Sequence, residues 1–163
     1  MSKILVQMAE EKWTMDAMHL ACALARNSSS QVILLQLIQV QNPSLLGTCF
    51  GGRSPSEQEY SRLKEYNATA EDYGVSLVIQ PMQCISALDA VVDAAEQLDT
   101  VVVFAQVLES RIPYWRRFQV WNLERRLRNQ RRQLFTLDQP FDRIEWTPSI
   151  TVTAVASVDK HIA

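Results

Sequence analysis

Residues 86–106 read SALDAVVDAAEQLDTVVVFAQ, and how this stretch is read decides the fold. Its second half, 100–106 (TVVVFAQ), is short, β-branched and continuously apolar, as expected of a strand covered on both faces. Its first half places Leu88, Val91, Val92 and Ala95 on one helical stripe, with Asp89, Asp93 and Glu96 opposite. A one-sided helix feeding a two-sided strand is the repeating half of a parallel sheet with helices laid on it.

Working outward toward the N-terminus, 3–8 (KILVQM) reads as a strand and 14–26 as a helix carrying Met15, Met18, Cys22 and Ala25 at helical spacing. Thr14 is expected at its start, because a hydroxyl can accept an orphan backbone N–H, and the polar run 27–30 ends it. Residues 31–40 (QVILLQLIQV) form a second buried strand, and 41–55, rich in Asn, Pro, Ser and Gly, a long surface loop. Ser56 followed by Glu59 predicts a capping box for a helix through Tyr60, Leu63, Tyr66 and Ala70, stopped at Gly74. Residues 75–79 (VSLVI) read as a third strand that ends before Pro81.

Toward the C-terminus, 113–133 predicts an arginine-rich helix with Val120, Leu123, Leu127 and Leu134 at spacings of three and four, and Trp121 beside that stripe. Two runs compete for the fifth strand, 134–137 (LFTL) and 149–155 (SITVTAV). The second has the stronger strand character and a proline at its start, which is a tolerated position, so it is favoured and 138–147 becomes an insertion. The order β-α-β-α-β-α-β-α-β predicts an α/β three-layer sandwich, with a five-stranded, mostly parallel sheet and helices on both faces. A ligand is expected outside the C-terminal strand ends, where crossovers diverge.

The 163 residues, 47% hydrophobic and 21% charged, suit one domain spanning 1–163. Lys3 precedes a short apolar run, Ile4 to Val6, interrupted by Gln7 and by charged residues 10–12, which fits neither a signal peptide nor a spanning helix. The expected address is the cytoplasm, with no membrane partner. Cys22, Cys49 and Cys84 lack metal or redox spacing and read as reduced, Cys22 and Cys84 packed and Cys49 the most exposed. The net charge of -2 conceals an asymmetry: segment 111–132 holds eight arginines and one glutamate, a local +7, which leaves the remainder near -9.

The opening KILVQM, the helix MDAMHLACALAR, the strand QVILLQLIQV and the pair SALDAVVDAAEQLDTVVVF together resemble the universal stress proteins over nearly the whole chain to about Phe104. The resemblance implies a sheet in the order 3-2-1-4-5, a role in stress response, and a homodimer formed through the last strand. It also implies that ATP-binding relatives carry G-x2-G-x9-G-[ST] after the fourth strand, where glycines let backbone N–H groups approach phosphates. Here the matching stretch is QVLESRIPYWRRFQVWNLER, without glycine, and the last of four glycines in the chain is Gly74. Relatives carry V-D-G-S at the end of the first strand, where this chain has VQMAEE, with Glu10 and Glu11 two to three residues late. Both departures predict a member that does not hold ATP in the family manner and needs no cofactor.

Other candidate chemistry is sparse. His19 and Cys22 share a helix, but their stripe reads as packing, and His161 makes no metal site with His19. The loop 47–54 (GTCFGGRS) has glycines and an arginine but no P-loop lysine, and reads as surface. With no nucleophile and base, no carboxylate pair and no metal set, no enzyme activity is expected. The alternative is a small-ligand site formed above the strand ends by Gln7, Met8, Gln39 and Gln106, with Arg111 or Arg116 meeting an anionic group. Segment 111–132 interleaves Trp115 and Trp121 with arginines, which suits an acidic protein or an anionic small ligand. Its bland reading packs the tryptophans on the sheet and solvates the arginines. Overall acidity argues against dedicated nucleic-acid binding.

Overall fold

The computed structural model describes residues 2–47, 56–107 and 113–137. Within them the chain runs β1 (Lys3–Gln7), α1 (Glu11–Ser28), β2 (Gln31–Gln39), a 3-10 turn (Pro43–Leu45), α2 (Glu57–Tyr73), β3 (Leu77–Cys84), α3 (Ala87–Gln97), β4 (Val102–Phe104), α4 (Pro113–Asn129) and β5 (Gln133–Phe135). The five strands form one sheet in the order β3-β2-β1-β4-β5, and every neighbouring pair is parallel. This is the expected three-layer α/β sandwich.

Successive strand residues point to opposite faces, so a continuously apolar strand supplies two cores at once. Ile4, Val6, Val32, Leu34 and Phe104 face α1 and α2, where they meet Trp13, Met18, Cys22 and Tyr66. Leu5, Ile33, Leu35 and Val103 face α3 and α4, where they meet Val91, Ala95, Leu123 and Leu127.

Helix ends follow local chemistry. Ser56 Oγ accepts from the Glu59 N–H at 3.2 Å while Glu59 Oε2 accepts from the Ser56 N–H at 2.9 Å, the predicted capping box. Gly74 ends α2 at φ 69°, a left-handed turn that costs glycine little.

Several boundaries differ from the sequence reading; β4 is Val102–Phe104 within the expected 100–106, and α4 ends at Asn129, short of the expected 133. Helix α1 starts at Glu11, not at Thr14. Strand β3 continues through Pro81 to Cys84, because it lies at the sheet edge, where a residue without an N–H is tolerated. The fifth strand is Gln133–Phe135, not 149–155, which lies outside the described residues. Arg131 turns the chain at φ 60° straight out of α4, and Phe135 stacks on Phe104 with ring centroids 5.3 Å apart. Three paired residues carry too little pattern for propensity to rank them above the longer downstream run.

Candidate functional site

Strands β1 and β4 are neighbours at the middle of the sheet, and their crossovers leave in opposite directions: α1 carries the chain toward β2, α4 toward β5. Their C-terminal ends therefore form the topological switch point, where an open α/β sheet presents a crevice. Gln7 closes β1 and Gln106 follows β4.

These two side chains span that crevice. Gln7, only 8% exposed, accepts from the Gln106 N–H through Oε1 at 3.2 Å. Gln106 Oε1 in turn accepts from the Glu10 N–H at 3.4 Å. Beside them the Thr14 hydroxyl accepts from the Ala9 N–H at 2.9 Å and donates to the Glu10 carbonyl at 2.8 Å. Thr14, one turn inside α1, thus fastens the loop that leads into the helix. Glu10 occupies the N-cap without a side-chain cap bond, and Glu11 begins α1 with its carboxylate 3.6 Å from Arg62 Nε.

The structure brings some of the sequence-predicted residues together and separates others. Gln7 and Gln106 meet directly, and Arg116 Nε donates to the Val107 carbonyl at 3.4 Å, just past them. Met8 packs against the α1–α2 core. Gln39 lies two strands away from β4 and donates to the Ile85 carbonyl at 3.4 Å, beside β3. Arg111 lies outside the described residues, as do Cys49, His161 and all of loop 47–54 except Gly47. Sequence reading missed the part of Glu10, which contributes its backbone N–H, and of Thr14. A hydroxyl four residues after a glutamate at a strand–helix junction was the available signal.

Two grooves lie elsewhere. One, of 420 Å³, sits between the end of β3 and the start of α3, lined by Met82, Cys84, Ser86 and Asp93. Another, of 320 Å³, lies between β3 and α3 near Gln80, Met82 and Gln97.

The remaining sequence candidates are occupied with packing. His19 Nδ1 is 3.3 Å from the Tyr73 hydroxyl, their rings edge to face, and it does not engage Cys22. Burial pushes the Cys22 thiol up to about 11, which suppresses the thiolate that nucleophilic chemistry requires. The Cys84 thiol is raised for the same reason.

The basic helix departs from its bland reading in one respect. Trp115 and Trp121 do not pack on the sheet: they are 49% and 53% exposed, because Leu123 and Leu127 already fill the inner face of α4. The arginines are divided. Arg126 Nη1 reaches Asp89 at 2.6 Å, Arg128 pairs with Glu124, and Arg132 Nη2 lies 3.6 Å from Asp99. Among the described residues no helix is long and apolar enough to cross a membrane, and no group of three His, Cys, Asp or Glu side chains is placed to hold a metal ion.

No protein-family model matches the chain, and no curated protein does. Solved structures match in fold. A universal stress protein in complex with cAMP superposes with a TM-score of 0.57 at 16% identity, covering 83% of this chain and 95% of that one. A protein of the universal stress protein family from Burkholderia pseudomallei gives 0.55 at 16% identity, over 85% and 96%. A universal stress protein from Archaeoglobus fulgidus gives 0.53 at 13% identity, over 83% and 93%. With its parallel sheet ordered β3-β2-β1-β4-β5 and its switch point between β1 and β4, this chain has the universal stress protein fold.

Proposed function

We propose that this chain is a non-catalytic regulatory or interaction module, a divergent member of the universal stress protein family. In this reading it works as a cytoplasmic homodimer in a stress response and does not bind ATP in the manner the family resemblance implies. The observation that carries the reading is the bridge from Gln7 through Gln106 to Glu10. It commits to the protein itself the two glutamine carbonyl oxygens and the backbone N–H groups of Glu10 and Gln106, which a nucleotide at the switch point would otherwise meet. The sequence adds that no glycine follows Gly74, so no backbone there can approach phosphates as closely as a glycine loop does.

A thermal-shift titration with ATP and magnesium, alongside ADP, AMP and cAMP, tests this, since a ligand of the native state must raise stability with concentration. No shift at millimolar ATP is the expected result, and a saturable shift with ATP contradicts it. Mass in solution tests the dimer separately: a monomer at tens of micromolar removes that part of the proposal.

A second reading is favoured by Arg116, whose guanidinium lies over the end of β4 at the Val107 carbonyl. There a smaller anion or a nucleoside monophosphate would be held by arginine in place of glycine. Neighbouring folds have been solved in complex with cAMP and, for a protein of Archaeoglobus fulgidus, with dAMP. A shift with AMP or cAMP that Arg116→Gln abolishes would support this reading over the first.

A further inference from the structure

The outer face of α4 is the least expected surface of the molecule. At about 100° per residue, Phe118 stands opposite Leu127, the fully buried anchor of the helix, with Tyr114 and Trp121 on one side of it and Trp115 on the other. These side chains are 49% (Phe118), 78% (Tyr114), 53% (Trp121) and 49% (Trp115) exposed. Trp115, Phe118 and Trp121 form a continuous ridge, with ring centroids 5.7 and 6.0 Å apart. Together the four rings expose on the order of 400 Å², as much as the largest apolar patch on many monomers.

The same helical count places arginines along both flanks of the ridge, Arg117 and Arg128 on one side and Arg126 on the other. Arg125 lies near its centre, 5.4 Å from the Trp121 ring. The pairs Arg126–Asp89 and Arg128–Glu124 are exposed, so both cations can exchange partners at little cost.

We propose that this face of α4 is a docking surface for an anionic lipid bilayer, with the aromatic ridge at headgroup depth and the flanking guanidinium groups on lipid phosphates. Aromatic rings at the crest with arginines on the flanks match the layering of an interfacial helix. The ridge is convex, on the side of α4 turned away from the sheet. A bilayer surface accommodates a convex helix, whereas single-stranded nucleic acid is held in grooves with open ring faces. Two α4 faces brought together would set like charges against each other. The face carries Arg117, Arg125, Arg126 and Arg128, with Glu124 the one carboxylate of α4, and this local positive charge orients it toward an anionic surface. Peripheral contact requires no spanning segment, so the inference departs from the expectation of no membrane partner. It stands independently of the proposed function, because neither nucleotide binding nor dimerisation enters it.

Co-sedimentation of the full chain with vesicles tests it, comparing phosphatidylcholine alone with phosphatidylcholine containing one third phosphatidylglycerol. Binding to the anionic vesicles alone is expected, weakened about tenfold or more by W115S/W121S and by R117E/R125E, and suppressed by high salt. Tyr60→Ser, an exposed ring on α2 across the sheet, should bind as the parent does. Brominated lipid should quench tryptophan fluorescence more strongly in the parent than in W115S/W121S, which retains Trp13 and Trp146. All these substitutions are at exposed side chains, and circular dichroism confirms folding. Failure to sediment with anionic vesicles at millimolar lipid overturns the proposal, as does undiminished binding by W115S/W121S. Binding of a single-stranded RNA or an acidic polypeptide without vesicle binding also overturns it and assigns the ridge to that partner instead.

Discussion

Helices α3 and α4 lie on the same face of the sheet, yet they use their apolar residues in opposite ways. Helix α3 turns Ala90, Val91, Val92, Ala94 and Ala95 inward and leaves Asp89, Asp93 and Glu96 to solvent. Helix α4 seals its inner face with Leu123 and Leu127, supported by Val120, and turns its largest rings outward. For α3, hydrophobicity and burial are the same property. For α4 they separate, so its outward rings carry information about partners that those of a purely structural helix would not.

This contrast predicts a sharp difference within one helix. Leu127→Ala should cost about 2–5 kcal/mol in urea unfolding, whereas Trp121→Ser should stay within about 0.5 kcal/mol. Equal costs would mean that Trp121 is part of the core and would break the comparison. On α3, Ala95→Leu should overpack a site of 0% exposure against the sheet and destabilise by about 1–3 kcal/mol. Ser86→Ala removes the hydroxyl that accepts from the Asp89 N–H at 3.5 Å, for an expected loss of about 0.5–1 kcal/mol.

The smallest effect sits where the two helices meet. Hydrogen bonds from Arg126 and then Ser86 hold the Asp89 carboxyl below its ordinary value of 3.8. A depressed folded value means that the contribution is fully present above the unfolded value and is lost as pH falls through the folded one. Both partners are exposed, so the pair should contribute only about 0.2–1 kcal/mol. Asp89→Asn should flatten the dependence of stability on pH below about 4, and an unchanged acid limb would show that the pair contributes nothing.

What was legible in the sequence follows the same division. Buried strands announced themselves because both faces are covered: TVVVFAQ and QVILLQLIQV admit few other readings. The capping box at Ser56 and the left-handed stop at Gly74 were legible because each depends on one or two residues in local contact. β5 was not, since three residues take their pairing from β4 and not from their own pattern. Nor was the full length of β3, because Pro81 forbids an interior strand but not an edge strand, and edge position is set by the whole topology. At the switch point, Gln7 and Gln106 were both singled out, but their mutual bond spans 99 positions of chain and depends on β1 lying beside β4. The outward turn of Trp115 and Trp121 escaped because an aromatic beside a leucine stripe ordinarily packs with it.

The central claim, that the crevice between β1 and β4 is occupied by the chain's own glutamines, is tested most directly by calorimetric titration of ATP with magnesium into the full chain. The account predicts no saturable heat up to millimolar nucleotide. Saturable binding of one ATP per chain, lost on Gln106→Ala, would contradict it by showing that the bridge opens to admit the ligand.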